Sequence, residues 1–467
     1  MITEFETRKH ELLDECEVDR KVFGRVLPRL KAFMEPFLAC FARQKQIDHA
    51  QTVVQGLLSD VEHKNVETIA YHFGQERMPL QYFMGVSEWD HQPLREELVR
   101  QVGEALGEPD GVIVFDPSSF PKSGSSSVGV ERQWCGRLGK VENCQVAVYM
   151  GYVSSREHAL VDTRLYLGKT WTQDRARCER AGVPQHIRHR TRHQLCLEML
   201  AAHGDHLPHR WIAGDDEMGR PYWFRRRLHE QQERYLLAVP SNTQVRDLAT
   251  EPPPYSGHGR YPTRPWQRVD DWRDSQAEGR WRRVDVRDGE KGPLVVEAIA
   301  TPVVARTDKR QQGHQEVLVV IRYKARDEQV VKTDYYLSNA DSQTPISDFA
   351  RAAKAEHRIE ECLQRAKSEA GLGDYEVRNW LGWQHHQTLS LIASWFLVTE
   401  ARRGKKMDPR DYRPADSTRH CADPSATLSM RYPITTSVSM RTPAQTQPTC
   451  SPVSLETTQP VASVKYK

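Results

Sequence analysis

Val112-Ile113-Val114-Phe115 is an unbroken apolar run that stops at Asp116-Pro117, and it constrains the fold more than any other segment. Four consecutive apolar residues ending at a turn signal suit a strand buried on both faces, which requires helices on both sides of a sheet. Further strand-like runs follow at 144–153, 159–167, Trp211-Ile212-Ala213 and Tyr235 to Val239, with helical patterns at about 190–203 and 219–232 among them. Strands alternating with helices predict an α/β sheet of mixed direction.

Other parts of the chain read differently. Apolar residues recur at helical spacing through Val22, Phe23, Val26, Leu27, Leu30, Phe33 and Phe37, and again through Val53, Val54, Leu57, Leu58 and Val61. This predicts a helical domain over 1–105, followed by the first part of the α/β core over 106–242. Pro252-Pro253-Pro254, three tryptophans among arginines (Trp266, Trp272, Trp281) and strand-like runs at 294–304, 316–323 and 330–337 predict a β-rich insertion or late strands over 243–340. Thr344 as cap, Pro345 at the first helical position and Gly371 as terminator predict a helix, with Phe349, Ala352, Ile359, Leu363, Ala366 and Ala370 as its apolar stripe. With a second, largely buried helix at 383–402 it completes the core over 341–406. From 414 onward 24 of 54 residues are Ser, Thr or Pro, so 407–467 reads as a disordered or foreign tail.

Composition narrows the class. Lys+Arg 66 against Asp+Glu 63 leaves a net charge of +3, and the nine cysteines are scattered without CxxC spacing. That argues for reduced thiols rather than a zinc ribbon or a disulfide scaffold. No segment reaches the roughly 18 apolar residues of a membrane span, and the charged N-terminus has no apolar core of a signal peptide. A soluble, cytoplasmic protein of several domains is expected.

Asp116 and Asp215 each stand where an apolar run ends, the place where open α/β sheets put functional residues. Glu360 borders the stripe of the late helix, and Lys367, seven residues on, shares its face. Three carboxylates on rigid elements can hold two hard divalent cations, with Lys367 as a point charge for phosphate. The plain alternative is that the aspartates are turn or cap residues and the glutamate is solvated.

The residues around them carry more. Gly56-Leu57-Leu58-Ser59-Asp60 with Lys64-Asn65 comes first, then Asp116 with Phe120-Pro121-Lys122-Ser123-Gly124. Gly129-Val130, Gln133-Trp134-Cys135-Gly136, Gly139-Lys140 and Asn143-Cys144-Gln145 follow, then Leu165-Tyr166-Leu167 with Trp171, and Asp215 with Gly219. Arg358-Ile359-Glu360-Glu361 with Lys367, Gly371-Leu372, Tyr375-Glu376-Val377-Arg378 and Trp380 close the series. In this order, over roughly 20–406, the chain resembles the DDE transposases of bacterial insertion sequences, and among them insertion-sequence family 701.

The resemblance implies a ribonuclease-H-like catalytic core with a β-rich insertion and an N-terminal helical domain. It implies Asp116, Asp215 and Glu360 as catalytic ligands of two Mg²⁺ (or Mn²⁺) ions, cleavage at element ends, and attack of the freed 3′-hydroxyl on target DNA. Double-stranded DNA, a homodimer on paired ends and a place at the bacterial nucleoid follow. Asp216 and Glu361 are rival ligands, set aside because the offsets of Asp215 to Gly219 and of Glu360 to Lys367 match the family. In the related group a Tyr and an Arg precede the glutamate; here those positions hold Ala353 and Glu356, with Arg358 the candidate substitute. Met218 stands where the family often has Tyr.

Lys122, Arg132, Lys140, Arg358, Lys367 and Arg378 are the candidate DNA contacts, acting through phosphate. His186, His189 and His193, interleaved with Arg188, Arg190 and Arg192, lack the partners of a metal site and read as a basic or solvated segment. The three tryptophans either stack on unpaired bases or pack the insertion, packing being the simpler reading. The competing function is a catalytically inactive, DNA-binding remnant that represses at element ends.

Overall fold

The computed structural model describes residues 24–289, 292–324 and 330–407. The expected tail therefore lies outside the described residues from 408 on, as do Val22 and Phe23 of the first stripe. Among the described residues five helices come first: α1 (Val26–Leu38), α2 (Gln44–Leu57), α3 (Val66–His72), α4 (Arg77–Gly85) and α5 (Gln92–Leu106). They share one apolar core with the sheet, Phe37, Val54 and Leu98 belonging to the same cluster as Ile113 and Ile359.

Strands β1 (Val112–Pro121), β2 (Glu131–Cys135), β3 (Lys140–Val153) and β4 (His158–Leu165) form an antiparallel unit. Short helices α6 (Lys169–Gln173) and α7 (Arg175–Arg180) lead to α8 (Arg192–His203), whose N-terminus is fixed by a capping box between Thr191 and Gln194. Strand β5 (Trp211–Gly214) then pairs parallel to β1, and after α9 (Asp216–Gly219) and α10 (Tyr222–Glu230), β6 (Tyr235–Ala238) pairs parallel to β5. Parallel neighbours need crossover connections, and the helical segments after β5 supply one.

Residues 243–340 extend this same sheet. Strands β7 (Gln244–Asp247) and β8 (Gln267–Arg268), helix α11 (Val269–Asp274), and strands β9 (Arg282–Gly289), β10 (Gly292–Arg306), β11 (Gln312–Lys324) and β12 (Val330–Ser338) follow in order. Among the described residues the sheet runs β2-β3-β1-β5-β6-β12-β11-β10-β7-β8, with β4 beside β3 and β9 beside β10. A second apolar cluster of Val245, Val269, Trp272, Val303, Leu318 and Leu337 lies beneath the added strands.

Helices α12 (Ile346–Glu369) and α13 (Trp380–Met407) are the last elements among the described residues. Every residue of the expected α12 stripe is buried, and each such Ile or Leu contributes about 2 kcal/mol. Thr344 does not cap the helix: Pro345 itself occupies the cap position, and no side chain satisfies the first N–H groups. Gly371, at φ +61°, takes the left-handed conformation just past the helix end. Arg95 of α5, fully buried, bonds Asp162 of β4 and both Gln384 and Thr388 of α13, tying three parts of the fold together. Among the described residues, no helix is long and apolar enough to cross a membrane.

Candidate active site

Asp116 is not at a strand end, as the sequence suggested, but in the middle of β1, which continues to Pro121 along β3. What ends there is the other ladder: β1 pairs with β5 only from Val112–Trp211 to Phe115–Gly214. Proline is tolerated where one side of a strand has no neighbour, and beyond Phe115 the β5 side of β1 is open, so Pro117 fits. Asp116 and Asp215 are therefore the first residues past the same rung on adjacent parallel strands, whose spacing is about 4.8 Å.

Asp215 is also a helix cap. Its Oδ1 accepts the Met218 N–H at 3.0 Å, so the plain reading and the functional one hold together. Its rival Asp216 points outward and pairs with Arg220 at 2.9 Å. Glu217 is claimed by Arg192, both carboxylate oxygens lying 2.6–2.7 Å from Nη1.

The third carboxylate reaches this spot because α12 crosses the sheet closely. Gly151 of β3 lies under it, and a Cβ there would stand 1.9 Å from Ile359 Cδ1. Glu360 follows Ile359 and is 59% exposed, its carboxylate 3.5 Å from His357 Nδ1; Glu361 faces solvent. At the far end of the helix Lys64 Nζ bonds the Glu369 carbonyl at 2.6 Å, which gives one of the motif residues a structural role.

Electrostatics mark the site. Burial, then the facing Asp215 and Glu360, push the Asp116 carboxyl up to about 8, with Lys367 opposing. Asp215 is raised to about 7 by burial and by Glu217 and Asp216, against the Met218 N–H. Glu356, one turn before Glu360, is raised to about 8 by burial and by Asp215, Glu360, Asp334 and Asp116. Its sequence context gave no sign of this: it read as the exchanged position of a DNA-gripping arginine. Lys367 is held by Ser118 Oγ at 2.7 Å, and burial lowers its pKa against the pull of Asp116.

Among the described residues, no three His, Cys, Asp or Glu side chains are gathered tightly enough to cage a metal ion as they stand. The donor set nevertheless fits one. All are hard oxygen ligands, and at Asp116 the push of burial and of the facing Asp215 and Glu360 exceeds what Lys367 offsets.

The candidate DNA contacts fall into two groups. Arg132 and Lys140, 71% and 62% exposed on the β2–β3 hairpin, share only Glu142. Trp134 beside them is 55% exposed, a residue the sequence reading did not single out for contact. Arg378 is exposed and Arg358 half-buried. Lys122, by contrast, is spent inside the fold: its Nζ bonds the Tyr375 carbonyl at 2.9 Å and lies 3.6 Å over that ring. Of the three tryptophans Trp272 packs as the simpler reading expected, while Trp266 and Trp281 are half-buried. Trp272 is buried with its Nε1 on Asp247 Oδ2 at 2.8 Å, Trp266 lies beneath Arg246, and Trp281 beneath Arg322. His189 and His193 face the carbonyls of Leu167 and Glu217.

Residues 36–293, more than half of the chain, match the family described as DDE superfamily endonuclease, and the chain belongs to that family. The match takes in Asp116 and Asp215 and ends before Glu360. Over 94 residues the chain is 32% identical to the "Probable transposase for insertion sequence element IS701" of Microchaete diplosiphon, a stretch that is 20% of this chain and 25% of that protein. The chain thus aligns with about a quarter of that relative's length. A cryo-EM structure of the piggyBac transposase synaptic complex with hairpin DNA superposes with a TM-score of 0.37 at 10% identity, covering 79% of this chain and 69% of that one. That likeness is too distant to carry an argument.

Proposed function

We propose that the chain is an insertion-sequence DNA transposase: a metal-dependent nuclease that cuts at the ends of its element and joins the freed 3′-hydroxyl to target DNA. The observation that carries this reading is the placement of Asp116 and Asp215 just past one rung of adjacent strands, under the helix bearing Glu360. Strands β4-β3-β1-β5-β6 are read as the ribonuclease-H-like core, 1–105 as the DNA-binding domain and 243–340 as the insertion. The working form is a homodimer on paired ends, at the bacterial nucleoid.

Asp116, Asp215 and Glu360 would hold two Mg²⁺ or Mn²⁺ ions. Such ions, when bound, activate a water or hydroxyl and stabilise the leaving oxygen of a phosphodiester. The rest falls to the protein. Ser118 aims the Lys367 ammonium beside Asp116, where it meets a strand phosphate as a point charge. Arg132, Lys140, Arg358 and Arg378 position the duplex through its backbone, which fixes register without reading sequence. Lys122 belongs to this group only indirectly, by holding the Tyr375 segment that leads to Arg378.

Asp116→Asn, Asp215→Asn and Glu360→Gln are each expected to abolish Mg²⁺-dependent cutting of DNA carrying the element ends while retaining end binding in a gel-shift assay. Undiminished cutting by all three refutes the proposal. A second reading, a binding-only remnant acting as repressor, is favoured by Ala353 and Glu356 standing where the related group has Tyr and Arg. Wild-type protein that shifts end DNA and never cuts it would establish that reading.

A further inference from the structure

A cavity of about 380 Å³ is lined by Arg220, which follows α9, by Asn242 and Thr243 after β6, by Gln244 at the start of β7, and by Arg306 and Thr307 at the end of β10. Helix α9 rests on the end of β6, where a Cβ on Gly219 would run into the Ala238 carbonyl, and this carries Arg220 to the cavity. Asp215 follows β5 and Asn242 follows β6, so on parallel neighbours both stand at the carboxyl edge of the sheet, where open α/β sheets bind ligands. Arg246 and Arg306 are half-buried and alternate with Val245 and Ala305 of the second apolar cluster, so both lie on the opposite face of their strands. Their guanidinium groups lie 4.3 and 5.6 Å from the Trp266 ring centroid. Arg306 donates through Nη1 to Gln244 Oε1, while the Nε atoms of both arginines are buried with no hydrogen-bond partner. Among the described residues neither of the two has an ion pair, and Arg220 has only Asp216, at 2.9 Å.

We infer that this cavity is a phosphate subsite, in which Arg220 and Arg306 hold one backbone phosphate of the DNA strand that passes Asp116 and Asp215. The inference rests on the nuclease reading above. A buried donor without a partner is rare in a native fold and marks a place where a ligand completes the bonding. Guanidinium groups gathered around one cavity repel one another unless an anion joins them, and the planar fork of arginine matches phosphate oxygens. Asn242 and Thr243 add neutral donors. A free phosphate or nucleotide shares this chemistry, and the DNA strand is the occupant favoured by the shared sheet edge. One strand over from Asp215, the cavity lies about 5–10 Å from the carboxylates. Phosphates of one strand advance by about 3.4 Å along the duplex axis, so the held phosphate falls within about three nucleotides of the one at the carboxylates.

Pairing a protein substitution with a backbone substitution in the DNA tests this on the full chain, apart from catalysis. Gel-shift affinity in EDTA is measured on duplexes carrying the element ends, with one neutral methylphosphonate at each backbone position in turn. The wild type is expected to lose about tenfold in affinity at one position near the cut. Arg306→Gln and Arg220→Gln should each bind unmodified DNA about tenfold more weakly, show no further loss at that position, and keep the wild type's losses elsewhere. Arg306→Lys, which keeps the charge without the fork, should fall between. The same further loss in the wild type and the variants at every position would overturn the subsite and leave the nuclease reading intact. Inorganic phosphate that binds the wild type in titration calorimetry and not Arg306→Gln, without that coupling on DNA, would make the cavity a free-anion site and overturn the strand as its occupant. Wild-type protein that binds no end DNA would overturn the subsite together with the nuclease reading.

Discussion

Replacing Asp116 with Asn removes one charge and almost no volume, and should stabilise the metal-free protein. The ordinary carboxyl value of 3.8 is raised to about 8 in the fold, chiefly by burial and by the facing Asp215 and Glu360. Below the ordinary value the group is protonated folded and unfolded alike and costs nothing. As pH rises through the window from 3.8 to about 8 the unfolded chain gives up a proton that the fold retains, so stability falls throughout, and above 8 the full penalty is present. At about 1.4 kcal/mol per tenfold change in proton affinity, the penalty reaches about 4 kcal/mol at pH 7. Coupling to Asp215 and Glu356 makes that an upper bound, and about 2–4 kcal/mol is expected. Guanidinium unfolding in EDTA at pH 5 and pH 8 reads it directly. Asp116→Asn should exceed the wild type at pH 8, converge toward it at pH 5, and gain less from added Mg²⁺. A variant no more stable than the wild type at pH 8 would refute the claim that this carboxylate is held against repulsion.

Gly151→Ala forces a methyl into Ile359 and should cost about 1–3 kcal/mol in guanidinium unfolding; unchanged stability would mean α12 does not approach the sheet so closely. Asp162 is held well below the carboxylate range, against its burial, by Arg164, His203 and Arg95. Asp162→Asn, which leaves Arg95 buried without its counter-ion, should lose about 3–5 kcal/mol, and a loss under about 1 kcal/mol would show the network to be dispensable. Arg132→Ala with Lys140→Ala should leave the melting temperature alone and weaken binding to any duplex, lowering the steepness of the log–log salt dependence by about 2; loss confined to one DNA sequence would contradict a phosphate role. Lys122→Met, in contrast, should lower stability and leave that salt dependence intact.

What was legible in the chain depended on whether the partners lay nearby. The α12 stripe was readable because the 3.6-residue period encodes a buried face whatever that face meets, and Phe349 through Ala370 are all buried. The apolar run before Asp116 announced a strand. Its continuation past Pro117 was hidden, because it depends on β3 supplying a ladder while β5 stops at Gly214. Thr344 looked like a cap by type, yet Pro345 took that position. Glu356 was invisible as an acidic-site residue because its surroundings, Asp215, Tyr323, Asp334 and Tyr336, arrive from strands far back in the sequence. Lys122 and Arg132 were indistinguishable as sequence, and only the fold separates a cation consumed by a carbonyl from one left on a hairpin.

Strand transfer by the purified full chain tests the central claim most directly. End-labelled DNA carrying the element's terminal sequence, mixed with a supercoiled target plasmid and Mg²⁺, should yield a covalent joint between the label and the plasmid. EDTA and each of Asp116→Asn, Asp215→Asn and Glu360→Gln should eliminate the joint. Joining that persists in the three variants, or wild-type protein that binds the ends in Mg²⁺ and neither cuts nor joins them, would contradict the account.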